Sequence, residues 1–235
     1  MRLAVFGHGG MGRMVVERAR AAGHDIGRVF DSRDADREES ELATLVRGHD
    51  VAIDFSTADA VLPHATACGR AGVPLVEGTT GWQEREAAVR SAVASSGGAI
   101  VYGANFSIGA NLFYRLVMHA ASLFQGFVDY EPFIEEAHHA RKRDRPSGTA
   151  LRLRDILTHG SGRSISVAST RAGHIPGTHL VGFDSPADQI TLQHTARSRE
   201  GFAAGALLAA GWIPGRRGVF TFDDVVNDLF ATAPR

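Results

Sequence analysis

Through the first hundred residues, short β-rich runs alternate with longer stretches of helical periodicity. The runs are Leu3-Ala4-Val5-Phe6, Arg28-Val29-Phe30, Val51-Ala52-Ile53-Asp54-Phe55, Val73-Pro74-Leu75-Val76 and Ala99-Ile100-Val101-Tyr102. Between them the apolar spacing predicts helices over about 11–22, 63–71 and 82–95, with Pro63 at a helix start. Strands alternating with helices predict a Rossmann-like, doubly wound parallel α/β sheet, and each connection is long enough for a right-handed crossover.

After Asn105 the pattern changes. Ile108, Leu112, Leu116 and Leu123 recur at helical spacing and predict one apolar helix face. A strand-rich region follows, with runs at 133–137, 165–169, 179–183 and 189–194. No helix separates the last three, so a smaller α+β domain with an open mixed or antiparallel sheet is expected. A sheet without covering helices between its strands leaves a face or edge for other copies of the chain, so a homo-oligomer is expected. The stretch from about 208 to 230 reads as helical and returns to the first domain. The expected domains are therefore 1–106 with 208–235, and 107–207.

Composition narrows the function classes. Hydrophobic residues make up 44% of the 235 and charged residues 22%, which excludes a disordered or fibrous chain. The 25 basic and 26 acidic residues nearly cancel, so the charge footprint of a nucleic-acid binder or of a polybasic membrane binder is missing. The most apolar stretch, residues 203–213, is shorter than the roughly 20 residues of a spanning helix. Cys68 is the only cysteine, and no apolar leader precedes the first strand; a cytoplasmic protein is expected.

The first strand runs into Gly7-His8-Gly9-Gly10-Met11-Gly12, a G-x-G-x-x-G opening a helix. Gly7 permits the tight turn, Gly9 lets a pyrophosphate approach the backbone, and Gly12 lets helix and strand pack closely. Phosphate charge then meets a helix N-terminus. Asp31 follows at the end of the second strand, where an acidic residue suits the ribose hydroxyls, and Arg33 beside it suits a 2′-phosphate. Gly78-Thr79-Thr80-Gly81 and Gly103-Ala104-Asn105-Phe106 leave the same sheet edge. Either could be an ordinary turn taken alone; sharing an edge with the glycine loop makes them candidate dinucleotide contacts.

The densest polar cluster is Glu136-Ala137-His138-His139-Ala140-Arg141-Lys142-Arg143-Asp144-Arg145-Pro146-Ser147-Gly148-Thr149. A basic run is usually a solvated loop, but this one feeds a helix N-terminus whose free N–H groups suit an anion. Two histidines and a lysine beside them add proton donors for a small acid. Zinc is disfavoured, because adjacent histidines on a strand face opposite ways and there is no second thiol; no metal is expected.

That segment, with Gly78-Thr79-Thr80-Gly81, Asn105-Phe106-Ser107-Ile108-Gly109-Ala110-Asn111 and Arg171-Ala172-Gly173-His174-Ile175-Pro176-Gly177, resembles the 4-hydroxy-tetrahydrodipicolinate reductase family, long called dihydrodipicolinate reductase. The resemblance covers almost the whole chain in one order. It implies NADH- or NADPH-dependent reduction of a small dicarboxylate in the diaminopimelate route to lysine, C-terminal helices that return to the nucleotide domain, and a homotetramer. It further implies that His138 and Lys142 handle the proton, that His139, Gly148 and Thr149 bind substrate, and that residues 7–12, Asp31, 78–80 and 103–106 hold the cofactor. The chain departs from the family pattern in a glycine loop one residue shorter and in Glu77, where an apolar residue is commoner. Another nicotinamide oxidoreductase, or an NAD(P)-binding sensor without catalysis, are the competing readings; the sensor predicts loss of His138 or Lys142, and both are present.

Overall fold

The computed structural model describes residues 1–232. In chain order the elements are β1 (Arg2–Phe6), α1 (Gly10–Ala21), β2 (Asp25–Phe30), α2 (Glu39–Val46), β3 (Val51–Asp54), α3 (Val61–Ala71), β4 (Leu75–Glu77), α4 (Glu86–Ser96) and β5 (Ala99–Tyr102). Then come α5 (Ile108–Phe124), β6 (Glu131–His138), α6 (Gly148–Ser161), β7 (Ser166–Arg171), β8 (Thr178–Asp184) and β9 (Gln189–Thr195), and last α7 (Glu200–Trp212), β10 (Gly218–Thr221) and α8 (Phe222–Thr232). They form two compact units: Met1–Ser107 together with the described chain from Arg199 onward, and Ile108–Ser198.

In the first unit six parallel strands lie in the order β10-β5-β4-β3-β1-β2. The central strands β1, β3 and β4 are buried on both faces, which is why they read as continuous apolar runs rather than alternating ones. Ala4, Phe6, Ala52, Leu75 and Ile100 share a core with residues of α2, α3 and α4. On the opposite side α1 packs against α7, and α7 lies on β3 and β4. The buried residues of α7 are Ala203, Gly205, Ala206, Ala209 and Ala210, small enough to bring its backbone close. A Cβ on Gly205 would stand 1.8 Å from the Phe106 carbonyl oxygen. The apolar stretch at 203–213 is thus a core-covering helix; among the described residues no helix is long and apolar enough to cross a membrane.

Two elements of this unit differ from the sequence reading. Helix α2 was not anticipated, and the tail is not one helical stretch but helix, strand, helix. β10 pairs in parallel with β5 as a sixth strand. Its four residues sit between two strongly helical windows, so a period of two has no room to show. The chain re-enters the first unit at Arg199 rather than near 208, because α7 packs there on α1, β3 and β4. Residues 233–235, included in the expected first domain, lie outside the described residues.

The second unit is a mixed sheet in the order β7-β6-β8-β9, with β6 and β7 parallel and the other pairs antiparallel. Helices α5 and α6 pack on one face. Ile134, Val181 and Phe183 point into that core, where Phe183 stacks on Phe124 at 4.3 Å. The alternate residues, among them Phe133, Glu135, Leu180, Thr191 and Gln193, line the face that no helix of this unit covers. The apolar face expected for α5 is corrected: Leu112, Leu116 and Leu123 are 36%, 58% and 60% exposed. The helix carries two apolar stripes, and the one with Phe113, Tyr114, Val117 and Ala121 is buried.

Candidate active site

The carboxyl ends of the parallel strands are aligned. Phe6 pairs with Phe30 and with Asp54, Asp54 with Glu77, and Glu77 with Tyr102. Residues 7–12, Asp31, 78–80 and 103–106 therefore leave one edge, across the point where β1 separates β2 from β3, the place where open α/β sheets bind ligands. Gly7 has a φ of +90°, and its missing Cβ would stand 2.4 Å from the Phe55 carbonyl oxygen. A Cβ on Gly12 would lie 1.8 Å from the Gly7 carbonyl oxygen, whereas Gly9 and Gly10 face open space. That combination of a closed turn and a bare rim at the start of α1 fits a dinucleotide pyrophosphate.

Asp31 caps a short turn by accepting the Arg33 backbone N–H at 2.9 Å. The Arg33 guanidinium also grips its carboxylate, with Nη2 2.7 Å from Oδ2, and that hydrogen bonding holds the Asp31 pKa down to about 2. Thr79 faces inward: its hydroxyl accepts from Ser56 N–H at 3.1 Å, its N–H donates to Glu77 Oε1 at 2.6 Å, and its carbonyl takes the Trp82 indole N–H. Thr80 is exposed at the rim. Phe106 is 1% exposed and packs between Phe55 and Phe222, so its ring serves the core rather than the loop surface.

Beneath these loops lies a buried polar group that the sequence reading did not assemble. Asp54 Oδ2 meets His64 Nδ1 at 2.6 Å, and His64 stacks on Phe6. Fully buried Glu77 stands beside Asp54 on the next strand. Burial first, then the charge on Asp54, pushes the Glu77 carboxyl well above its usual range. Unfolded, Glu77 releases its proton near 4.5; folded, it keeps it to higher pH. Across that window the unfolded chain has lost a proton the native one retains, so stability falls as pH rises, by at most about 1.4 kcal/mol per pH unit. Glu77→Gln still offers an amide oxygen to Thr79 N–H. It is expected to melt higher than the parent at pH 8, with the gap narrowing toward pH 5; parallel melting curves at both pH values would contradict a proton held on Glu77.

In the second unit β6 places Ile134, Glu136 and His138 on the helix-covered face by its period of two. Glu136 and His138 are 2% and 8% exposed. Arg171, opposite His138 on β7, donates Nη2 to Glu136 Oε1 at 2.7 Å and to the Asp144 carbonyl at 2.6 Å. The other carboxylate oxygen of Glu136 contacts His138 Nδ1. Burial opposes ionisation of Glu136, yet the hydrogen bonds from Arg171 and Ser169 with the nearby cations outweigh it and hold its pKa at about 2. His179 of β8 lies edge-on to His138 at 5.0 Å, and its Nε2 meets Ser147 Oγ at 3.0 Å. Burial, then the neighbouring His138, takes the His179 pKa down to about 4, so it is neutral near pH 7. Ser147 caps α6 by accepting Ala150 N–H, leaving the N–H groups of Gly148 and Thr149 at the helix start without an intrahelical partner.

Lys142 reaches Asp144 Oδ1 at 2.8 Å from the loop that begins at β6. Polar contacts thus link Lys142, Asp144, Arg171, Glu136 and His138, and the His138 ring meets edge-on the His179 ring that is bonded to Ser147 at the start of α6. His139 follows β6 and is half-buried; its carbonyl accepts Lys142 N–H. Glu136, His138 and His179 each offer a ligand atom within 4.8 Å of the others, and one oxygen of the Glu136 carboxylate is taken by the Arg171 guanidinium. Glu136, Arg171, His179 and Ser147 were given no role from sequence. The available signal was parity: a charged or imidazole side chain at the buried phase of an alternating strand needs a partner.

The chain matches the family model described as dihydrodipicolinate reductase, N-terminus, over residues 1–106, and the one described as dihydrodipicolinate reductase, C-terminus, over residues 109–226. It is 38% identical to a 4-hydroxy-tetrahydrodipicolinate reductase of Christiangramia forsetii, across 98% of this chain and 99% of that protein. To the protein of the same name from Archaeoglobus fulgidus it is 36% identical, across 97% and 100%. A dipicolinate-bound dihydrodipicolinate reductase from Paenisporosarcina sp. TG-14 shares the fold, with a TM-score of 0.79 at 20% identity over 94% of this chain and 97% of that one.

Proposed function

The chain belongs to the dihydrodipicolinate reductase family and is an oxidoreductase, and from that premise we propose how its residues divide the work. The reaction is reduction of 4-hydroxy-tetrahydrodipicolinate to tetrahydrodipicolinate, on the diaminopimelate route to lysine. In this reading the glycine loop, Asp31, 78–80 and the backbone of 103–106 hold the nucleotide, and His139, Gly148 and Thr149 hold the dicarboxylate. The protein works in the cytoplasm. When bound, the reduced nicotinamide supplies a hydride. Hydride addition to a conjugated cyclic imine builds negative charge at the far end of the π system, and this chain must deliver a proton there. His138 and Lys142 are the groups for that step. The free N–H groups at the start of α6 and the cationic loop offset the desolvation of two carboxylates. The observation that carries the reading is the cluster of polar side chains that the second unit gathers around His138, from Lys142 and Asp144 to Arg171 and Glu136, with His179 and Ser147 beside it. Its test is oxidation of NADH and, separately, of NADPH on adding freshly generated substrate. Tight nucleotide binding without oxidation would favour a sensor instead.

Both dinucleotides are accepted in this reading. Asp31 is ionised and has lone pairs left for ribose hydroxyls, while exposed Arg33 can turn to a 2′-phosphate. Asp31→Ala is expected to weaken NADH more than NADPH in binding titrations; equal losses for both would remove Asp31 from the ribose.

The uncovered face of the second sheet supports a homo-oligomer, a tetramer by family likeness. Half-buried Phe133 and Leu180 lie there with Thr191 and Gln193, and Glu135 is the charged residue named among them, a mostly uncharged composition suited to burial between copies. Sedimentation at micromolar concentration is expected to show an assembly, and Leu180→Glu to shift it toward monomer. A monomeric parent protein would refute this arrangement.

A further inference from the structure

We propose that Glu136 is a positioning residue for proton transfer: anchored by Arg171, its carboxylate takes the Nδ1–H of His138 and so leaves Nε2 as the atom that exchanges a proton. The inference rests on the reading that His138 serves the reduction, and it adds which nitrogen acts and what fixes it. Two observations and one chemical argument carry it. The carboxylate is fully buried and both its oxygens face identified partners, Arg171 on one side and His138 Nδ1 on the other. A carboxylate has no proton to give, so the imidazole must donate from Nδ1, which assigns the lone pair of the neutral ring to Nε2. On the Nε2 side the chain presents Gly177 at a φ of +121°, where a Cβ would come within 3.2 Å of both Cδ2 and Nε2. With no side chain at that position, no Cβ presses on that edge of the ring.

The arrangement also sets how the ring responds to charge. The groups facing His138 are Glu136 on its own strand, Arg171 on β7, His179 on β8 and Lys142 in the following loop. Burial disfavours the imidazolium, and Lys142 and Arg171 disfavour it further; Glu136 alone opposes them. When Nε2 takes a proton, the resulting imidazolium lies against the Glu136 carboxylate, and when it gives the proton up the ring returns to the same tautomer. His179 stays out of the exchange, because its Nε2 is engaged with the Ser147 hydroxyl.

The experiment compares the full-length protein with Glu136→Gln, and with Glu136→Gln/Arg171→Gln so that no buried guanidinium is left unpaired if the single variant folds poorly. Imidazole nitrogen NMR of the parent is expected to show His138 protonated on Nδ1 when neutral, and the variants to lose that preference. In turnover, the variants are expected to lose at least about tenfold in kcat, part of the 10²–10⁴ that a general acid–base group supplies. The pH-rate limb that His138→Ala abolishes should move to lower pH by about one unit, with KM for the nucleotide unchanged. A neutral His138 protonated on Nε2 in the parent would overturn the proposal. So would an unshifted limb and parental kcat in Glu136→Gln while His138→Ala is impaired, which would leave the role of His138 standing. If His138→Ala itself turned over like the parent, the underlying reading would fail and this inference with it.

Discussion

Replacing His138 or Lys142 by alanine is expected to lower kcat by about 10²–10⁴ while leaving NADH and NADPH binding intact. Both side chains belong to the second unit, and the glycine loop and Asp31, where the nucleotide is proposed to bind, to the first. The cost differs in kind between the two. Lys142 is a quarter exposed and tied to Asp144, so its loss removes a charge without opening the core. His138 is buried against Glu136 and His179, so its truncation leaves a small void and an unpaired carboxylate oxygen as well, and its melting temperature should drop. Thr149→Ala serves as the contrast. It removes a hydroxyl at the start of α6, where a substrate carboxylate is proposed, and is expected to raise KM with little change in kcat if that contact is equally strong in ground and transition states. Should Lys142→Ala and His138→Ala both keep parental kcat in single-turnover and steady-state assays, neither side chain would take part in the proton step and the donor would lie elsewhere.

How much of this was legible beforehand follows from the kind of signal each element leaves. The parallel strands and their loops were readable because burial on both faces makes uninterrupted apolar runs, and because glycine at a forced turn is a local requirement. Gly7 and Gly12 are glycines for contacts within the loop and its neighbouring strand, so sequence spacing alone found them. β10 was not legible: four residues between two helices carry no periodicity of their own, and only the free edge of β5 makes them a strand. The face of α5 was misread because amphipathic spacing cannot say which of two apolar stripes meets a core. The substrate segment was conspicuous for its charges, yet its most buried partner, Glu136, received no role. Its significance depends on Arg171 and His179, which lie 35 and 43 residues away and meet it only through strand pairing. Glu77 was noticed as a departure, but the proton it holds follows from the depth of burial beside Asp54, which no local pattern records.

The glycine loop separates closure of the fold from access for the ligand, and two single substitutions are expected to show it. Gly9 has φ −74° and ψ −165°, an extended conformation open to any residue, and nothing stands within 4 Å of where its Cβ would be. Gly9→Ala should therefore melt at or slightly above the parent temperature, since alanine reduces the freedom of the unfolded chain by about 0.4–1 kcal/mol. The new methyl would occupy the rim where the pyrophosphate is proposed to lie, so NADH and NADPH should both weaken, by at least about tenfold, or roughly 1.4 kcal/mol. Equal losses are expected because the pyrophosphate is common to both. Gly12→Ala acts on the fold itself. Its Cβ would meet the Gly7 carbonyl oxygen at 1.8 Å, too close for any rotamer to relieve, so α1 must move away from the turn after β1. Overpacking of this kind costs about 1–3 kcal/mol or more, and the apo protein should melt lower and lose the nucleotide together. Melting curves of the apo variants and titration with each nucleotide decide the matter. A Gly9→Ala protein that bound both nucleotides as tightly as the parent would move the pyrophosphate away from this loop.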